Sequence, residues 1–238
     1  MKISKRLAMI DKMVASTHHH IWDCCCDHGH LGMTLLERQA AQHIHFVDIV
    51  PSITKNLAQR LNQRFCAEQD QWQIHTLDAL DIPIDQYSVE QRHLIIIAGL
   101  GGEQSLQLVQ GLIEKYPNND LQFLLCPLRH HYTLRLGLAK LSLSLVAEQL
   151  LKEQKWYYEI IHLTNYVNAV GCERIAKNPI IATGSLLWSE PNALHQEYLM
   201  QIMQHYQRVL RSLDASSEQH RLTQTMLTQY GQVLEGIN

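Results

Sequence analysis

From Ile21 to Gly32 the chain reads I-W-D-C-C-C-D-H-G-H-L-G, three consecutive cysteines between Asp23 and Asp27, then His28, Gly29 and His30. These residue types suit three chemistries: a metal centre, a thiol redox pair, or a polar loop that holds a ligand. Structural zinc sites space their cysteines so that two sulfurs reach one ion from a turn. Here adjacent strand residues point to opposite faces, so Cys24 and Cys26 share a side at most, and no second spaced pair completes four ligands. No metal is expected. Without a C-x-x-C spacing a redox pair is disfavoured too, and Cys24 and Cys26 read as small hydrophobes of a core. His18, His19 and His20 read as an exposed turn before the strand. A ligand loop remains.

Such a loop needs a scaffold, and apolar runs alternating with helical patterns supply one. Strands are expected at 20–25, 44–49, 73–77, 93–98 and 121–126, with helices at 31–41, 52–66 and 103–116 between them. This βαβαβαβαβ order predicts an α/β fold, a doubly wound, Rossmann-like parallel sheet with helices on both faces. A helix at 133–141 and two runs at 143–151 and 156–164, parted by a polar turn, suit an antiparallel hairpin at the sheet edge. Beyond Pro191, Leu194, Tyr198, Ile202, Tyr206 and Val209, then Leu222, Met226, Tyr230 and Val233, recur at helical spacing. Pro191 suits a first helical turn, and Ser216 with Gln219 makes a capping pattern. The expected organisation is an α/β domain over 1–185 and a coiled-coil-like helical hairpin over 186–238.

At 238 residues and 46% hydrophobic, the chain has enough apolar surface for one substantial core. No apolar run approaches the ~20 residues of a bilayer crossing, and the basic N-terminus lacks the apolar stretch and cleavage site of a signal peptide. Six cysteines, three of them contiguous, do not make a secreted disulfide framework, so a reducing cytoplasm is expected.

Open α/β sheets bind ligands at the carboxyl ends of their strands. The G-x-G-x-x-G dinucleotide fingerprint is absent there, and D-x-C-x-D-x-G, from Asp23 to Gly29, takes its place. Two carboxylates repel a diphosphate, whereas S-adenosylmethionine (SAM) offers an ammonium, a sulfonium and no phosphate. Asp48 ends the second strand, where a carboxylate can accept from ribose hydroxyls. Asp78 follows the third strand, placed to accept from an adenine amino group, with Ala79 and Leu80 offering backbone N–H or apolar contact. I-I-I-A-G-L-G-G, from Ile95 to Gly102, runs a buried strand into glycines that let a flat substrate approach. Two rival readings are an NAD(P)-dependent oxidoreductase, disfavoured by the aspartates, and a non-catalytic RNA-binding or assembly protein on the same fold.

The D-C-C-C-D-H-G-H-L and I-I-I-A-G-L-G-G segments resemble the D-I-G-S-D-H-A-Y-L and I-A-G-M-G-G motifs of the bacterial tRNA (adenine-N1)-methyltransferases acting at position 22, the TrmK group. The likeness continues through C-P-L-R from Cys126 and W-Y-Y-E-I-I from Trp156, and covers roughly residues 1 to 165. It implies a SAM-dependent enzyme with tRNA as partner and no DNA or membrane, its oligomeric state left open. By that likeness Asp23, Cys25, Asp27, His28 and Gly29 surround the methionine end of SAM, Asp48 the ribose, and Asp78 and Ala79 the adenine. Gly99, Leu100, Gly101 and Gly102 line the floor beside the target base. Asp27 or His30 would accept from its exocyclic amine. Cys25 stands where the family has glycine, which suits a loop residue of negative φ, and His30 where it has tyrosine. The hairpin sets Arg208, Arg211 and Arg221 against Glu190, Glu197, Asp214, Glu218 and Glu235, without the cation excess that phosphates need. RNA is therefore expected across Lys2, Lys5 and Arg6, and across Arg129 and Arg135.

Overall fold

A computed structural model describes residues 3–165 and 178–237; Lys2 and Cys172 lie outside the described residues. The basic N-terminal segment forms helix α1 (Lys5–Met13), capped by the Ser4 hydroxyl, which accepts the Leu7 N–H at 3.2 Å. There follow β1 (His18–Cys24), α2 (His30–Glu37), β2 (Ala41–Asp48), α3 (Pro51–Arg64), β3 (Trp72–Thr76), β4 (Arg92–Ala98), α4 (Gly102–Lys115) and β5 (Asp120–Cys126). The chain continues through α5 (His131–Leu138), β6 (Ser144–Glu153), β7 (Trp156–Thr164), α6 (Ala193–Ser212) and α7 (Glu218–Ile237). The seven strands lie in the order β3-β2-β1-β4-β5-β7-β6. The first five are parallel, whereas β7 runs antiparallel to both β5 and β6. Chain order reverses between β1 and β4, so the connections leaving them diverge and open a crevice. Leu94 through Ile97 are wholly buried because helices cover both faces of the sheet.

The histidine run departs from expectation. His18 and His20 lie within β1 and are buried. His20 is in register with His43 of β2 and His93 of β4, so pairing extends the strand over what reads as a polar turn. On that face the imidazoles form a hydrogen-bonded row: His75 Nε2 to His45 Nδ1 at 3.1 Å, His45 Nε2 to His20 Nδ1 at 3.0 Å, and His20 Nε2 to Gln91 Oε1 at 3.3 Å. With Gln91 Oε1 accepting, all three rings donate from Nε2 and His45 and His20 accept at Nδ1, so these two are neutral, while burial lowers the pKa of His75. Trp22 stacks on His45 at 3.8 Å between centroids and donates its indole N–H to His93 Nδ1 at 3.2 Å.

The hairpin packs through Tyr198, Leu199, Met226 and Tyr230 onto Tyr132, Leu150 and Trp188. Beneath that contact lies Arg135, which is 0% exposed, so its assignment to an RNA-binding face is wrong. Its guanidinium donates to Glu159 Oε2 from Nε at 3.1 Å and from Nη2 at 2.6 Å, and it also pairs with Glu148. Burial disfavours the charge, but Glu159 and Glu148 outweigh it and hold the guanidinium above its usual range. Glu148 Oε2 accepts the Ser185 and Leu187 N–H groups at 2.9 and 2.8 Å, and Glu159 Oε1 accepts the Tyr198 hydroxyl at 2.7 Å.

Two outcomes are expected. Burial first, with neighbouring imidazoles, lowers the pKa of His20 to about 4, of His93 to about 3 and of His45 to about 2. Unfolded histidines titrate near 6.5, so the unfolded chain binds more protons below that pH. The contribution of these three neutral rings is complete above pH 6.5 and is lost progressively as pH falls from there through about 4, 3 and 2. Asp23, raised by burial to about 7, and Asp120, raised by burial as well, act in the opposite sense, but burial also lowers His18, His75 and His162, so the histidines outnumber the two acids. The urea midpoint should drop between pH 7 and pH 5, and His45→Gln should flatten that slope; a flat parental profile would refute the neutral row. Second, Arg135→Met should cost about 3–5 kcal/mol, because it strands two buried carboxylates, whereas Arg129→Met, at an exposed position, should cost little in the same denaturation series.

Candidate active site at the strand ends

Three connections leave the carboxyl ends of β1, β2 and β4, and backbone hydrogen bonds hold them together. The loop after β1 is tied to β2 by the Cys26 N–H to the Val47 carbonyl at 3.1 Å and by the Asp27 N–H to Asp48 Oδ2 at 3.2 Å. Asp48 Oδ1 accepts the Val50 N–H at 3.0 Å, so this carboxylate braces two loops while facing a cavity. Asp23 Oδ2 accepts the Gly32 N–H of α2 at 2.9 Å. Burial first, with Asp48 nearby, lifts its pKa to about 7. The loop after β4 is closed against the one after β5, the Leu128 N–H donating to Leu100 and the Gly102 N–H to Arg129, each at 2.9 Å.

Two glycines are explained by this closure. Gly99 has φ +123, a conformation that L side chains rarely adopt, and the space around it is open. A Cβ on Gly102 would sit 2.6 Å from the His130 carbonyl oxygen, so that position is set by loop packing. Cys25 has φ 58 and Asp27 φ 47, against the negative φ expected for Cys25. The turn that carries the chain from β1 into α2 needs left-handed residues, and here a cysteine and an aspartate take that strain.

Two cavities open between these loops. The first, of about 300 Å³, is lined by Arg6, Asp23, Cys25, Asp27, His28 and His30, with Gly99 and Leu100 on its far side. The second, of about 380 Å³, is lined by Asp48, Asp78, Ala79 and Leu80, and again by Cys25 and Leu100. Cys25 and Leu100 therefore stand where the two adjoin. Asp78 caps the short 3₁₀ turn Ala79–Asp81, its Oδ1 accepting the Leu80 N–H at 2.9 Å.

Of the residues singled out in the sequence, Gly29 is buried at the start of α2, and neither Gly29, Gly101 nor Gly102 lines these two cavities. Lys5 is exposed on α1, while Arg6 reaches the first cavity, its guanidinium 5.2 Å from the Tyr158 ring centroid. Leu7 and Leu128 line the first cavity, and Ile49, Gln104 and Gln107 the second; sequence reading missed all five. Ile49 and Leu128, apolar residues just past the ends of β2 and β5, carried a signal that could have been read.

Burial also governs the three cysteines of the loop. Burial pushes the Cys25 thiol up to about 11 and raises Cys24 and Cys26 as well, so none is a ready thiolate. Among the described residues no group of three or more His, Cys, Asp or Glu side chains could hold a metal ion. What the crevice offers is a divided cavity with a carboxylate at each station and a single cation, Arg6. It suits a nucleoside carrying a cationic tail and opposes a diphosphate.

Fold and crevice together define an α/β protein of the doubly wound class with a carboxylate-lined crevice at its strand ends. The chain belongs to the methyltransferase domain family, which matches residues 3–161, more than half of its length. No curated protein matches it by sequence. Among solved structures, Mycoplasma capricolum TrmK bound to S-adenosyl-homocysteine is 17% identical with a TM-score of 0.77, all of both chains being covered. The Bacillus subtilis m1A22 tRNA methyltransferase TrmK is 20% identical at a TM-score of 0.69, covering 99% of this chain and 98% of that one. A candidate tRNA (m1A22) methyltransferase of Streptococcus pneumoniae, in complex with S-adenosyl-L-methionine, is 18% identical at 0.74, covering 98% and 100%. At these identities the likeness is one of fold, and it runs through the helical hairpin.

If Cys25 carries local strain, a β-branched replacement should cost more than a glycine. Cys25→Val is expected to lower stability by about 1–2 kcal/mol, and Cys25→Gly to unfold at or above the parental temperature. Equal losses in both would show that thiol packing, not φ, governs the position.

Proposed function

We propose that this chain transfers a methyl group from SAM to N1 of an adenine in tRNA, position 22 being the expected target. One observation carries the reading: the carboxylate-lined cavities adjoining at Cys25 and Leu100, on a fold shared with enzymes solved with SAM or its product. The residues present fit that cofactor. Asp48 would accept from the ribose hydroxyls and Asp78, with the Ala79 backbone, from the adenine. Asp23, Asp27, His28 and the turn at Gly29 would enclose the amino-acid end. Bound there, SAM supplies an electrophilic methyl group.

Alkylation of adenine N1 needs no strong general base, so the task of the side chains is alignment and exclusion of water. Leu100 and Leu128 present an apolar floor beside Gly99. Partial burial, with Arg60 nearby, holds His30 below the usual histidine range, so it is neutral and can accept a hydrogen bond from the exocyclic amine as that group becomes more acidic; Asp27 is the other acceptor. Gly101 and Gly102 support that floor from behind. Lys5, Arg6 and Arg129 are the cations proposed to meet RNA phosphates. The division at residues 185 and 186 and a cytoplasmic setting belong to the same proposal; among the described residues no helix is long and apolar enough to cross a membrane.

The test is calorimetry with SAM, followed by methylation of tRNA transcripts and mapping of N1-methyladenosine. Tight SAM binding without methylation would favour the non-catalytic RNA-binding reading, and binding of nicotinamide dinucleotide instead would favour an oxidoreductase. Asp48→Asn should weaken SAM binding by about 1.5–3 kcal/mol through a lost charge-assisted hydrogen bond; unchanged affinity removes Asp48 from the site.

A further inference from the structure

A groove of about 770 Å³ runs between the start of β7, the N-terminus of α5 and both helices of the hairpin. We propose that it holds an unstacked nucleotide of the RNA, a neighbour of the one being methylated. This rests on the reading of the chain as an RNA methyltransferase.

Continuity is the first reason. Leu128 lines both the groove and the first strand-end cavity, so an RNA strand with its target base over Gly99 passes from one into the other across a single side chain. Surface chemistry is the second. Leu128, Trp156 and Leu222 are 50%, 58% and 38% exposed and all line the groove, a concentration of exposed apolar surface that marks a binding site. Trp156 supplies an exposed flat face of the kind on which splayed bases stack, and Tyr157 and Tyr206, stacked on Tyr198 and Tyr230, form the aromatic wall beside it.

Charge is the third reason. Lys155 Nζ lies 5.1 Å from the Trp156 ring centroid, and exposed Arg129 lines the groove. Glu103 is the acidic residue of its lining, and it pairs with His130 at 3.2 Å. Aromatic faces flanked by cations suit a nucleobase with its phosphate and give a purely apolar peptide no use for the lysine and arginine. The hairpin, whose own charge is unsuited to phosphate, then contributes the apolar wall.

The experiment uses the full-length protein, a tRNA transcript and SAM. Trp156→Ala should raise the apparent KM for tRNA roughly tenfold while SAM affinity stays at the parental value, and Trp156→Phe should restore the KM. Of the four tryptophans, Trp22, Trp72 and Trp188 are buried, so quenching of emission by tRNA should come from Trp156 and vanish in Trp156→Phe. A parental KM in Trp156→Ala overturns the proposal. So does a dimer that Leu222→Gln converts to monomer with no change in KM for tRNA, which would make the groove a seat for a second copy. Failure of the parental protein to methylate any tRNA or bind SAM would instead sink the function itself, a result distinct from an active enzyme indifferent to Trp156.

Discussion

The antiparallel edge of the sheet and the elements packed on it are organised around a cation that has no access to water. Desolvating a guanidinium costs several kcal/mol, and the attraction of nearby carboxylates offsets that only if their remaining lone pairs are also satisfied. Around Arg135 they are. Glu148 on β6 and Glu159 on β7 face it, two backbone N–H groups near residue 186 relieve the first, and the Tyr198 hydroxyl relieves the second. One guanidinium thus joins α5, the antiparallel edge of the sheet, the connection to the hairpin, and α6. Apolar contact between hairpin and sheet is non-directional, whereas Tyr198 can meet Glu159 in one placement, so the cluster gives the docking its register.

The crevice depends on that arrangement at one remove. Closure of the loops after β4 and β5 places Leu100 and Leu128 side by side, and α5 begins directly behind them. The other wall is stiffened differently, by carboxylates that accept backbone N–H groups and by left-handed residues at Cys25 and Asp27. One wall is tied to the hairpin and the other to the parallel sheet. A ligand spanning both senses the two halves of the fold together.

Much of this was legible in the residues. Alternation of apolar runs with helical patterns located the five parallel strands to within a few residues, because a two-sided parallel sheet demands such runs. The aspartates at strand ends pointed to the crevice because strand ends are where the chain turns. Arg135 was misread through grouping cations by nearness along the chain. The corrective signal was present: it stands three residues from both Tyr132 and Leu138, on the face of α5 that is buried. The histidines were misread as a turn because imidazoles in succession look polar, and only pairing across strands reveals that His20 meets His45 while the His19 ring accepts the Arg92 N–H. The groove had no signal at all, since its walls come from residues as far apart as Glu103 and Tyr230.

The histidine row has a property that no single ring has. Every imidazole from His75 to His20 must donate in the same sense, and Gln91 at the end of the line sets that sense through which amide atom it presents. Turning the Gln91 amide over would require all three rings to exchange tautomers together. The row therefore behaves as one polarised unit across three strands, with a direction stored in the position of three protons.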